Sequence, residues 1–305
     1  MAATNGSPPG PATLGGQAVV EGVMIRGPKG YAVCVRRPDG EIVCHSERSD
    51  GSTGLTTGSA PRARTMPVVR GVFALGDTLT QGMRALMWSA QVASGREPEE
   101  PSESQVRMSA AMSLGALATF FLLAPAATGR RAEGLAKRLR LPPRLAGATE
   151  GFARVGMLVG YLRTIGRLPQ AQRLFAYHGA EHRAIQAYEA RLPLDTETLR
   201  RFPNAHVRCG TSFLLTTTVI SSLLYGLLGP MSAGRRMLAR VALMPLIVGL
   251  SYETIRLASA SPNPLFKMLL RPNLQLQALT TRDPDEEQMA VAIAAVREAV
   301  ALHQS

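Results

Sequence analysis

The run Tyr177-His178-Gly179-Ala180-Glu181-His182 places two imidazoles and a carboxylate within about one and a half helical turns. His178 and His182 are four residues apart, so on a helix they share a face and can grip one metal ion. Glu181 lies beside them, where a general base for a metal-bound water would sit. His-x-x-Glu-His is the inverted order of the zincin motif. The chain has 5 histidines and 3 cysteines, and a third histidine, His206, stands three residues before Cys209, a spacing suited to the same ion. Imidazole and thiolate are ordinary zinc ligands, so the expected cofactor is Zn2+, one ion per chain. The alternative is a polar loop in which Glu181 and the histidines simply hydrogen-bond near a membrane.

Two coordination modes follow. With His178, His182, His206 and Cys209 all bound, the site is closed and structural. With three bound, water takes the fourth place and Glu181 can act on it as a base. Three further acids could contribute as ligands or outer contacts. Glu253 sits inside an apolar helix, where a carboxylate is costly. It is either a downstream acidic ligand or, as is commoner, paired with Arg256 or an arginine of a neighbouring helix. Glu189, seven residues beyond His182, shares its helical face and suits a solvated or outer-contact role. Glu21, an acid in an apolar strand, is a site contact or a structural hydrogen bond. His45 and His303 end a strand and a helix and are expected in solvent.

These residues have to be positioned by strongly segregated elements. Mean hydropathy is slightly positive at +0.05 although the chain carries 34 Lys+Arg among 305 residues. Met108 to Gly129 and Cys209 to Gly234 contain no charged residue, and each is long enough for a bilayer core of ~30 Å. Val241 to Tyr252 and Gly147 to Leu168 are weaker, the latter interrupted by Glu150, Arg154 and Arg163. The expected fold is therefore membrane α-helical, with about four transmembrane helices near 109–128, 148–166, 211–229 and 238–257. An even number of spans places the N-terminal domain, the metal-site loop and the C-terminus together on the cytosolic side of the cytoplasmic (inner) membrane. The net charge of +12 is mostly arginine flanking apolar spans. That favours the lipid bilayer and its anionic headgroups as partners, and nucleic acid is not expected.

Around the spans the pattern divides the chain into a flexible tail (1–13), a small β-rich domain (14–66), an amphipathic helix and linker (67–107), a transmembrane helical domain with a polar metal-site loop at 168–210 (108–272), and a C-terminal helix (273–305). Residues 14–48 read as three short antiparallel strands, and 49–61 as a polar linker. If Arg37-Pro38-Asp39-Gly40 turns with Gly40 as the bulge, Cys34 lies opposite Cys44. The two could bridge, but on a cytosolic face they are expected to remain thiols. At the C-terminal end, Asp283-Pro284-Asp285-Glu286-Glu287 predicts a helix capped by Asp283, with Pro284 at its first position and an amphipathic body to about Leu302.

Five segments occur in a distinctive order: GGQAVVEGVMIRGP, YHGAEHRAIQAYE, HVRCGTSFLL, SYETIRLA and QALTTRDPD. Together they resemble the YqhQ-like family of bacterial membrane proteins, over residues from about 15 to 300. The resemblance implies a metal-dependent enzyme acting through the histidine motif and implies no substrate. Val207 departs from the family pattern, where proline is expected between the histidine and the arginine. Two functions remain open: a zinc-dependent hydrolase acting near the membrane surface, or a non-catalytic assembly protein with a structural zinc site. Glu181 discriminates between them, since only the enzyme needs its basicity. No Walker loop, dinucleotide fingerprint or serine elbow points elsewhere.

Overall fold

Alternation of valine with small residues near the N-terminus produces a four-stranded antiparallel meander: β1 (Gly15–Val19), β2 (Gly22–Gly27), β3 (Gly30–Arg36) and β4 (Ile42–Arg48). The structure is a computed structural model that describes residues 14–48, 63, 65–98, 101–118, 138, 143–228, 231–261 and 263–304. The expected tail (1–13) and linker (49–61), residues 119–128 of the first expected span and the turn at Gly229-Pro230 lie outside the described residues.

Three strands were predicted where four form, because GGQAVVEGVMIRG is a hairpin and not one strand. It reverses at Val20-Glu21, with Glu21 in the left-handed region at φ 51. No Asn-Gly or Asp-Gly marks that turn. Glu21 is instead held from outside: Arg36 N–H donates to its carbonyl at 2.9 Å, and Arg173 grips both carboxylate oxygens at 2.5 Å.

The next hairpin follows the expected register. Gly40 N–H donates to Arg37 O, Gly40 has φ 93, and Cys34 pairs with Cys44. The two sulfurs form a disulfide, which corrects the expectation of free thiols. Their Cα atoms stand 4.1 Å apart, the close approach of residues directly opposite in an antiparallel pair. Disulfides belong to oxidising compartments, so the sheet lends no support to a cytosolic placement.

Both faces of the sheet are covered, which is why β3 is buried along almost its whole length. On one face Val19, Met24, Tyr31, Val33 and Val35 pack on Ala85, Trp88 and Val92 of α1 (Val69–Ala93). On the other, Leu14, Val23, Ile25 and Ala32 pack on two helices, α4 (Pro169–Glu189) and α9 (Glu286–Gln304). Tyr177, Ala180 and Ala184 supply the α4 side, and Met289, Ala292, Val296 and Ala299 the α9 side. The segment carrying the histidines is thus pinned to the N-terminal sheet by residues three and four apart, leaving the histidine face free. Helix α9 starts later than predicted. Asp285 accepts Gln288 N–H at 2.7 Å and Gln288 Oε1 accepts Asp285 N–H at 3.0 Å, a reciprocal capping box. Asp283 is drawn away to Arg183 and Asn204.

The remaining helices among the described residues are α2 (Glu103–Ala118), α3 (Pro143–Ile165), α5 (Thr196–Arg200), α6 (Gly210–Gly226), α7 (Ala233–Ala260) and α8 (Pro264–Gln277). Leu158, Leu162, Leu215 and Leu276 join α3, α6 and α8. The expectation of about four transmembrane helices is overturned: one helix among the described residues, Gly234–Ala260, is long and apolar enough to cross a membrane. Most of its apolar stretch is not buried against the protein, and it is the described feature that points to a membrane. Helix α3 turns Arg154 inward, 3% exposed and 4.7 Å from the Tyr225 ring, as in a packed helix pair. Helix α6 has 17 residues, roughly 26 Å at 1.5 Å per residue, short of the ~30 Å hydrocarbon core.

Candidate metal centre

Pro169 occupies the first turn of α4, where its missing N–H costs nothing, and the helix runs unbroken through the histidine motif. His178 and His182 lie on one face, their ring centroids 4.4 Å apart. Each ring is oriented by a backbone carbonyl. His178 Nδ1 lies 2.8 Å from Thr280 O, and His182 Nδ1 is hydrogen-bonded to Asn204 O. A carbonyl only accepts, so both Nδ1 atoms carry the proton and both Nε2 lone pairs are left for a ligand.

Cys209 reaches the same point from the N-cap of α6. Its Sγ accepts the Thr211 N–H at 3.4 Å and lies 3.2 Å from His178 Nε2. The sulfur therefore sits where the helix dipole favours negative charge. The ligand atoms of His178, His182 and Cys209 all lie within 4.8 Å of one another. In a tetrahedral zinc site with ordinary bond lengths, nitrogen and sulfur ligands are roughly 3.5 Å apart. The donor set, the tautomers and the spacing fit zinc.

Glu181 is 3% exposed. Its Oε2 is 3.6 Å from His182 Nε2 and 3.9 Å from His178 Nε2. Burial pushes its carboxyl above the ordinary carboxylate range, against the opposing pull of His178 and His206. The backbone of β1 closes on its other side: a Cβ at Gly16 would stand 2.2 Å from Glu181 Oε1. Gly16 there is a requirement of close approach.

His206 lines the same cleft but stands apart from the trio. Its Nε2 faces Glu189 Oε2 at 3.6 Å, and its ring centroid is 5.6 Å from that of His182. Glu189 also takes Arg208. Burial opposes its ionisation, but the neighbouring His206 and the hydrogen bond from Arg208 hold its carboxyl below the usual range. Glu189 is thus an outer contact of the site. Two other acids do not come to the cleft. Glu253 is gripped by Arg70 through Nε at 2.6 Å and Nη2 at 2.5 Å, with Val68 N–H at 3.2 Å. Glu21 is committed to Arg173 and lies 3.3 Å from the Tyr177 hydroxyl. His45 and His303 are partnered, by the Trp88 ring and by Ala299 O respectively.

Residues that sequence reasoning did not single out build the outer support. Asn204 holds His182 through its carbonyl, and its own side chain is held by Arg183 at 2.7 Å and Asp283 at 2.9 Å. Gln277, fully buried, brackets the backbone at His206 and donates to Ser212 Oγ at 3.0 Å. Thr280 supplies the His178 contact, and Gly179 lets α4 meet Arg282 O, 2.2 Å from where its Cβ would lie. The polar run from Gln277 to Asp283 is thus a strap around the site. The only signal for it was its place among the family-like segments. The cleft between the donors measures about 20 Å³, room for an ion and its water.

The family model described as "Protein of unknown function (DUF1385)" matches residues 66–302. A protein of Bacillus subtilis (strain 168), described as "Uncharacterized protein YqhQ", is 31% identical over 307 residues, covering 96% of this chain and 93% of that protein. No solved structure matches.

Proposed function

The chain belongs to the DUF1385 family, and from the geometry of its donor trio we propose that it is a zinc-dependent hydrolase working at a membrane surface. His178, His182 and Cys209 would hold the ion, and Glu181 would be the general base. The observation that carries this reading is the position of His206, the fourth candidate ligand, whose Nε2 is directed to Glu189 at 3.6 Å and not into the trio. Three protein donors with a carboxylate 3.6 and 3.9 Å from the two Nε2 atoms suit catalysis, whereas a structural site is closed by four.

Bound zinc would supply Lewis acidity and lower the pKa of a coordinated water toward neutrality. The chain's own residues do the remainder. Asn204 and Thr280 keep the two imidazoles in the Nδ1–H form. Glu181, buried beside the two Nε2 atoms, takes the proton of the attacking water and returns it to the leaving group. Gly16 keeps bulk off the carboxylate.

The protein would reach its membrane, the cytoplasmic (inner) membrane of the cell, through Gly234–Ala260. Exposed arginines such as Arg235 at the start of that helix would meet anionic headgroups. A second reading, an assembly protein with a structural ion, draws on the small volume of the cleft. Metal content and hydrolysis of Glu181→Gln separate the two.

A further inference from the structure

The free edge of the sheet runs past the metal cleft. In the β1–β2 hairpin Val19 pairs with Gly22 across a two-residue turn. Gly15, Gln17 and Val19 therefore direct their backbone groups to β2, while Leu14, Gly16, Ala18 and Val20 direct theirs outward. Two of the outward groups have partners: Leu14 O accepts Arg208 Nη2 at 3.5 Å, and Val20 N–H donates to Ser89 Oγ at 3.2 Å. Among the described residues, the N–H and C=O of Gly16 and Ala18 take no hydrogen bond from the protein. Gly15 and Gly16 are exposed, and a Cβ at Gly15 would meet nothing within 4 Å.

That edge is joined to the donor trio by one side chain. Glu181 Oε1 packs against Gly16, while Oε2 faces the two Nε2 atoms at 3.6 and 3.9 Å. A strand added to β1 would lie ~4.8 Å from it, which brings its backbone beside the trio. The lining offers little to a phosphorylated substrate. Arg208, the one Arg or Lys among the residues lining the cleft, is engaged by Glu189 and Leu14 O. What stands open is main-chain hydrogen-bonding capacity, and its complement is another main chain.

We infer that the substrate is an extended polypeptide, which adds to the free edge of β1 through Gly16 and Ala18 and so presents a peptide carbonyl to the donor trio. This rests on the hydrolase reading above. In the reaction the water oxygen bonds to the carbonyl carbon and the C–N bond breaks. One water proton passes by way of Glu181 to the departing nitrogen, yielding a carboxylic acid and an amine. Gly15 and Gly16 leave the edge clear of side chains on the cleft side, so recognition is by backbone and tolerant of substrate sequence.

The test uses full-length, zinc-loaded protein in detergent. A fluorescence-quenched random octapeptide library is compared with the same library N-methylated at alternate amides, and with p-nitrophenyl acetate and p-nitrophenyl phosphate. The wild-type protein cleaves the unmodified library, and N-methylation slows cleavage by about tenfold or more, the effect of losing ~1.4 kcal/mol of pairing. Ala18→Pro removes an outward N–H without touching a β2 bond, so it raises KM for peptides about tenfold at unchanged zinc content. Peptide cleavage insensitive to both changes overturns the edge-pairing inference. Turnover of a nitrophenyl ester without any peptide cleavage overturns it too and leaves the hydrolase reading standing. Zinc-loaded protein that turns over none of the probes brings down both. Should Ala18→Pro fail to fold, the N-methylated library decides on wild-type protein alone.

Discussion

Gln277 holds His206 by the backbone on both sides: its Oε1 accepts the His206 N–H at 2.9 Å, and its Nε2 donates to the His206 carbonyl at 2.9 Å. The pair is separated by 71 residues, and the glutamine is fully buried. Gln277→Ala would leave a buried donor and a buried acceptor unmatched, at a cost of ~2–5 kcal/mol. A fall in melting temperature, with weaker zinc retention in competition with a chelator, is the expected result. An unchanged melting temperature would show that water replaces the glutamine.

The purified protein is expected to carry about one zinc per chain, since two imidazoles and a thiolate exhaust the donor trio. His178→Ala combined with His182→Ala loses it, and so does Cys209→Ser. Metal analysis of detergent-purified protein checks this. Folded wild-type protein that takes up no zinc defeats the assignment.

Glu181→Gln is expected to keep zinc and fold while lowering hydrolysis ~10²–10⁴-fold, the usual contribution of a positioned base. Full activity of this variant, or full complementation of a deletion strain at normal protein level, favours the structural-ion reading instead.

Gly16→Ala forces Glu181 to move, because the new methyl would stand 2.2 Å from Oε1. The displacement is expected to cost ~1–3 kcal/mol of stability and to reduce hydrolysis while zinc remains bound. Gly15→Ala, which meets nothing within 4 Å, is the stability control, measured by thermal unfolding.

Glu253→Gln is expected to leave zinc content untouched and to lower stability by ~1–3 kcal/mol through loss of charge-assisted bonds to Arg70. A loss of zinc in this variant would restore Glu253 as a ligand.

The sequence was informative where chemistry is local. The four-residue step from His178 to His182 is a property of any helix, and the turn at Arg37-Pro38-Asp39-Gly40 carries its own signal. The reversal at Glu21 was hidden because a non-glycine residue takes a left-handed conformation there, held by Arg173 far along the chain. Hydropathy overcounted membrane spans because it cannot tell a lipid-facing helix from one packed on a partner, as α3 packs Arg154 on Tyr225. The outer support escaped for a related reason. Thr280 and Asn204 act through backbone carbonyls, which every residue has.

The strap has a consequence for the order of events during synthesis. His178 depends on Thr280, 102 residues later in the chain, and His182 on Asn204, 22 residues later. On the ribosome, both histidines and Cys209 leave the exit tunnel well before the strap does. A nascent chain can therefore hold every ligand while one imidazole is still free to rotate and choose the wrong nitrogen. The strap can close on His178 only once the chain has been made through Thr280, so alignment of that imidazole follows the synthesis of all three candidate ligands. A chain cut between Cys209 and Thr280 would keep all three ligands and lose the alignment of His178.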